Sequence, residues 1–149
     1  MDYELKTFTV EEVNKLIPAL SRSLKQLKSK QVQLFELEAQ IDALELVSEH
    51  ADLKSVKELN RLLETHHTRM NEFYKMVDTI HQYGCFLKDV ELGLVDFYSV
   101  IDGKVVYLCW KLGEESVSCW HEVGKGYLFR KPLSESPRAE SEDSELQGE

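Results

Sequence analysis

The sequence predicts an α+β protein, in which a long antiparallel, coiled-coil-like helical hairpin precedes a small antiparallel β-meander. Three observations predict this fold class. Apolar residues recur every three or four positions from residue 9 to about 83, β-forming residues replace that period after Gly84, and residues 134–149 carry six acids against one arginine. We therefore divide the chain into a helical stalk (1–83), a β-module (84–133) and a disordered acidic tail (134–149).

Composition and charge exclude several classes of function. The net charge of −9 among 149 residues does not favour nucleic acid, which needs a concentrated basic surface. No apolar run approaches the roughly 18 residues of a membrane span, and the N-terminus lacks the pattern of a secretory signal. The three cysteines form no closely spaced pairs, so we expect free thiols and a cytoplasmic protein.

The first helix of the stalk begins at a capping box. The Thr9 hydroxyl can accept from the Glu12 amide while the Glu12 carboxylate reaches back to the Thr9 amide. The apolar row that follows alternates by three and four residues, as in a coiled coil. Its members are Val13, Leu16, Ile17, Leu20, Leu24, Leu27, Leu34, Leu37, Ile41 and Leu44.

The second helix follows a turn at 47–52, with Asp52 or Ser55 as its cap, and ends at Gly84 in a left-handed conformation. A heptad row predicts its buried side as Val56, Leu59, Leu63, His66, Met70, Phe73, Val77 and Ile80. Two helices alone bury only one narrow seam. Either the β-module folds onto the stalk or a homodimer completes a four-helix bundle, and we prefer the homodimer.

The β-module is predicted to be a meander of four or five strands. The expected strands cover residues 85–88, 94–101, 104–112, 116–121 and 127–130. Asp102-Gly103 is a strong signal for a two-residue hairpin, and it pairs Asp96 with Cys109 across the turn. A three-residue loop at 113–115 would then pair Cys109 with Cys119, whereas a two-residue loop would exchange the faces of the following strand.

The three-residue loop divides the sheet into an apolar face and a polar face. Phe97, Trp110 and Trp120 form the structural core on the apolar side. The other side carries polar side chains, either as a solvated face or as a binding site. The candidate ligand or partner site on it comprises Asp96, Cys109, Glu114, His121 and Arg130.

Cysteine and histidine together can bind zinc or another transition metal, and Cys109, Cys119 and His121 are the candidate ligands. The ten-residue spacing of the two cysteines is not a zinc signature. An acid/base or covalent site with His121 as base and Cys109 or Cys119 as nucleophile is a further alternative.

Several motifs resemble an uncharacterised bacterial family, domain of unknown function 2203. They are GLVDF at 93–97, LCWKLGE at 108–114, CWHE at 119–122 and GYLFRKPL at 126–133, together with Phe8-Thr9-Val10-Glu11-Glu12 at the start of the stalk. The resemblance covers about residues 7–133 and implies no established activity. Phe129 stands where that family typically has a second glycine in its closing turn.

Two classes of function follow from the sequence. The first is an interaction or scaffold protein that oligomerises through its helices and binds a partner or ligand on the β-module. The second is a metal- or small-molecule-binding protein, with or without enzymatic activity, whose site lies around Asp96, Cys109 and His121.

Overall fold

The computed structural model describes residues 5–47 and 52–134. Two long helices, α1 (Val10–Val47) and α2 (Leu53–Gln82), precede a five-stranded antiparallel sheet, which confirms the predicted α+β class. The strands are β1 (Phe86–Asp89), β2 (Leu94–Ile101), β3 (Lys104–Lys111), β4 (Cys119–Glu122) and β5 (Lys131–Pro132). The acidic tail from residue 135 and most of the predicted turn between the helices lie outside the described residues.

Both helix starts and the end of α2 have the predicted capping chemistry. The Thr9 amide donates to Glu12 Oε1 over 3.0 Å, and the Glu12 amide donates to Thr9 Oγ1 over 3.1 Å. Asp52 accepts from the Ser55 amide over 2.7 Å. Gly84 has a φ of +95° and donates its amide to the His81 carbonyl, which turns the chain from α2 into β1.

The two helices run antiparallel, and Lys30 pairs with Glu72 while Glu38 pairs with His66. The seam far from the sheet differs from the predicted heptad. Leu62, rather than Leu63, is buried there beside Leu37 and Ile41. Of the predicted row, Val56 and Leu63 are exposed, whereas Ile80 is fully buried and the other members are half-buried.

The sheet is a simple meander in the order β1-β2-β3-β4-β5. Asp102 and Gly103 both have positive φ, of 52° and 78°, as a two-residue hairpin requires. Asp96 therefore pairs with Cys109, and Cys109 pairs with Cys119, as the three-residue loop predicts. The connection itself is longer than expected, because β4 begins at Cys119 rather than at residue 116.

The predicted strand at 127–130 is wrong. Tyr127–Phe129 forms a single 3-10 turn, because the amides of Phe129 and Arg130 donate to the carbonyls three residues earlier. The short strand β5 follows it at Lys131–Pro132.

One hydrophobic core joins the apolar face of the sheet to the base of the hairpin. Phe97, Trp110 and Trp120 are fully buried in it, as predicted. The helices contribute Val13, Ile17, Leu20, Leu24 and Leu27 from α1 and Ile80 from α2. The β-module thus folds onto the stalk. This was one of the two predicted ways of burying apolar helix surface outside the seam, and a homodimer was the other.

Two polar contacts tie the start of the chain to the sheet. Ser99, a buried polar residue on the apolar face, donates its hydroxyl hydrogen to the Phe8 carbonyl over 2.6 Å. The Phe8 amide donates to the backbone carbonyl of Tyr98 over 2.7 Å. Asn14 on α1 accepts from the Val117 amide over 2.8 Å, which fixes the β3–β4 connection against the helix.

The shared core makes a prediction about stability. Leu24→Ala removes a fully buried side chain between helix and sheet, so it should lower the free energy of unfolding by about 2–5 kcal/mol. Leu128→Ala, at a position that is 89% exposed, is the matched control and should change it by less than about 0.5 kcal/mol. Urea unfolding followed by circular dichroism measures both, and equal losses would contradict the shared core.

Candidate functional site

Three polar side chains meet on the sheet face that points away from the hydrophobic core. They are Asp96 on β2, Cys109 on β3 and His121 on β4, and all three are buried. One ligand-type atom from each, a carboxylate oxygen, a thiol sulfur and an imidazole nitrogen, lies within 4.8 Å of the other two. Buried polar groups are costly unless they are paired, so this polar cluster needs an explanation.

His121 is held at both ring nitrogens. Nδ1 lies 3.1 Å from the Glu122 carbonyl, which can only accept, so Nδ1 carries a hydrogen and donates it. Nε2 lies 3.1 Å from Asp96 Oδ2. Asp96 and His121 thus pair with each other inside the buried polar cluster, as burial of two polar side chains requires.

The polar cluster forms part of the wall of a cavity of about 440 Å³. This volume falls in the range of small-molecule sites. The remaining wall comes from the end of β1, from β2 and β3, and from the β4–β5 connection. Its residues are Lys88, Asp89, Leu94, Tyr107, Gly124, Lys125, Gly126 and Tyr127.

The Cys109 thiol is protonated at neutral pH. Burial, and then the negative charge of Asp96, raise its pKa to about 12, although the Arg130 guanidinium acts in the opposite direction. A nucleophilic cysteine needs a lowered pKa, so this environment disfavours the covalent site with Cys109 as nucleophile. Burial likewise raises the pKa of Cys85, in the hydrophobic core, to about 11.

The other predicted site residues lie beside the polar cluster. Arg130 forms an ion pair with Glu114 over 3.2 Å, and its charge reaches both Cys109 and Cys119. Glu114 also accepts from the Lys111 amide over 2.7 Å, which makes it a structural brace for the β3–β4 connection. Cys119 is half-buried opposite Cys109 and lies 3.8 Å from the Ser118 hydroxyl.

Tyr107 is a site residue that the sequence reasoning did not select. Its ring lies 5.2 Å from the His121 ring and stacks on Tyr98, and its hydroxyl donates to the Tyr98 hydroxyl over 3.0 Å. Burial is the main cause that raises the pKa of Tyr107 to about 12. The predicted register that pairs Cys109 with Cys119 also pairs Tyr107 with His121. This pairing was the signal that could have placed Tyr107 in the site.

Fold and site together define an antiparallel helical hairpin carrying a small sheet, with a buried Asp-Cys-His cluster in a cavity on the outer sheet face. The chain matches the model of the family described as "Uncharacterized conserved protein (DUF2203)" over residues 6–133 and belongs to that family. No curated protein and no solved structure matches the chain.

The pairing of Asp96 with His121 can be tested by a double-mutant cycle. Asp96→Leu leaves His121 Nε2 without its hydrogen-bond partner in a buried site, so it should cost about 1–3 kcal/mol of unfolding free energy. His121→Leu should cost a similar amount. The double variant should lose less than the sum of the two, because neither polar partner then remains unpaired, and additive losses in urea unfolding would contradict the pair.

The raised pKa of Cys109 predicts slow alkylation. At pH 8 an ordinary thiol is about one-quarter thiolate, whereas a pKa of about 12 leaves roughly one in ten thousand. Native Cys109 should react with iodoacetamide at least about 100-fold more slowly than the same cysteine in urea. Peptide mapping by mass spectrometry measures both rates, and equal rates would show that the thiol is not buried.

Proposed function

We propose that this protein is a cytoplasmic interaction protein, in which two copies assemble through their helical hairpins and each β-module offers a binding site. One observation carries the proposal: toward its far end, α1 exposes the large apolar side chains Val32, Phe35 and Leu46 beside exposed apolar side chains of α2. The assembly is a homodimer in this proposal, and the binding site is the cavity beside Asp96, Cys109 and His121.

The exposed apolar face follows directly from the helix period. Phe35 lies 18 residues after Ile17, which is five full turns, so both side chains point from the same side of α1. Ile17 is buried in the core that the hairpin shares with the sheet, whereas Phe35 is 59% exposed. On α2 the exposed side chains of Val56, Leu63 and Tyr74 continue this face.

Phe35 and Leu63 lie on the same side of the hairpin. Phe35 is one turn before Glu38, Leu63 is one turn before His66, and Glu38 and His66 pair across the seam. We call the surface around them the bare apolar face. Its exposed members are Val32, Phe35, Leu46, Val56, Leu63 and Tyr74.

The opposite side of the hairpin is polar. A shallow groove there is lined by Gln33, Glu36, Gln40, Arg61, Thr65 and Arg69, together with the edges of Leu37 and Leu62. A helix pair with one polar and one apolar side is typical of half of a four-helix bundle, in which the apolar sides face each other.

The bare apolar face is large enough for a specific dimer. From Leu53 to Tyr74, α2 extends about 32 Å, and two adjacent helices are about 20 Å wide, so the face measures on the order of 600 Å². Specific interfaces start near 1,200 Å² in total, or about 600 Å² per partner. A second copy of the chain supplies a surface of the same size and character.

The second candidate function, binding of a metal or a small molecule, is favoured by the cavity. It combines a concave shape with three convergent buried polar groups, which is the usual character of a ligand site. The two functions are compatible, because the bare apolar face and the cavity lie on different elements.

Light scattering coupled to size exclusion tests the assembly. At tens of micromolar the wild-type chain should elute with twice its mass of 17.3 kDa. The double variant Phe35→Glu, Leu63→Glu should elute as a monomer, because dimerisation would bury two charges without partners.

The matched control places the same charges on the polar side of the same helices. Gln33→Glu, Thr68→Glu adds two carboxylates at exposed positions and should leave the dimer intact. A monomeric wild-type protein, or a control variant that dissociates as readily as the first, would refute assembly through the bare apolar face.

A further inference from the structure

We infer that the polar cluster is a binding site for one divalent transition metal of the zinc class, held by Asp96 Oδ, Cys109 Sγ and His121 Nε2. The inference names an occupant for the cavity in the proposed function, and it is independent of the hairpin dimer. The ligand set differs from the one predicted from the sequence, because Asp96 takes the place of Cys119.

The geometry of the polar cluster suits such an ion. Carboxylate, thiolate and imidazole are the three side-chain types that bind zinc, and one atom of each lies within 4.8 Å of the other two. Atoms that surround a common ion at 2.0–2.3 Å are roughly 3–4 Å apart, so only a small adjustment is needed.

The hydrogen bond at the other ring nitrogen of His121 also suits a metal ligand. A metal-bound histidine normally donates its other ring hydrogen to a carbonyl or a carboxylate, which fixes the ring and leaves the first nitrogen for the ion. The Nδ1 hydrogen of His121 goes to the Glu122 carbonyl over 3.1 Å. Nε2 therefore points at the place that the ion would occupy, beside Asp96.

The charges of the ligand set suit a divalent ion. A bound carboxylate, thiolate and neutral imidazole together carry two negative charges, which one M²⁺ neutralises. The nearby Arg130 is already compensated by Glu114 over 3.2 Å.

The remaining coordination position faces the cavity. Asp96, Cys109 and His121 all line it, so a water or a small ligand can complete the coordination. Three protein ligands with one open position are typical of zinc sites that exchange ligands, whereas purely structural sites use four protein ligands.

Metal titration of the full chain tests the inference. Chelator-treated wild-type protein should bind one Zn²⁺ per chain in competition with a chromophoric chelator. Cys109→Ser, Asp96→Asn and His121→Gln should each weaken binding by at least about 100-fold. That is more than is usual for the loss of a group that only hydrogen-bonds to a metal ligand. Cys119→Ser is the matched control and should bind within about twofold of wild type.

Co²⁺ in place of Zn²⁺ gives a readout that does not depend on comparing affinities. Wild type and Cys119→Ser should both show the absorption of a thiolate-to-cobalt charge transfer, and folded Cys109→Ser should lack it. If a ligand variant does not fold, the wild-type protein and Cys119→Ser still decide the question.

Three results would overturn the inference. They are a wild-type chain that takes up no Zn²⁺, a Cys119→Ser variant as impaired as Cys109→Ser, and ligand variants that keep full affinity. Light scattering on the same samples separates this failure from failure of the assembly, because a dimer without metal refutes the metal site alone.

Discussion

The packing of one sheet face against the base of the helical hairpin determines where every other feature lies. Phe97, Trp110 and Trp120 fill the space between the sheet and the two helices, and each is fully buried. Large aromatic side chains contribute strongly to a core of this size. Because the meander offers only two faces, committing one of them to the hairpin leaves the other free to form a site.

The outer face of the sheet is covered by the chain itself. The connection from β4 to β5 supplies Gly124, Lys125, Gly126 and Tyr127 to the cavity wall, and β1 supplies Lys88 from the other side. The side chains of Asp96 and His121 are thereby withdrawn from water, although neither helix of the described residues packs on this face. The contact between Asp96 and His121 keeps this burial tolerable, since an unpaired buried polar group would be far more costly.

Much of the architecture could be predicted from local patterns. Asp102-Gly103 fixed the hairpin register, and the register placed Asp96, Cys109 and His121 on one face. Their burial could not be predicted, because nothing in an alternating strand shows that a later loop folds back over it. The prediction that Leu63 rather than Leu62 is buried was wrong for a related reason. Both residues belong to rows with helical spacing, and only the packing against α1 decides which of them is buried.

The length of the hairpin has a consequence for its motions. At the base the helices are anchored by the full sheet core. Toward the far end, the described residues form a smaller cluster of Leu37, Ile41 and Leu62, with Leu44 and Leu59 beside them. Amide hydrogens at the far end should therefore exchange with solvent through local opening, well below the free energy of global unfolding. Within each helix, the part beside the sheet would then be more stable than the part beyond the edge of the sheet.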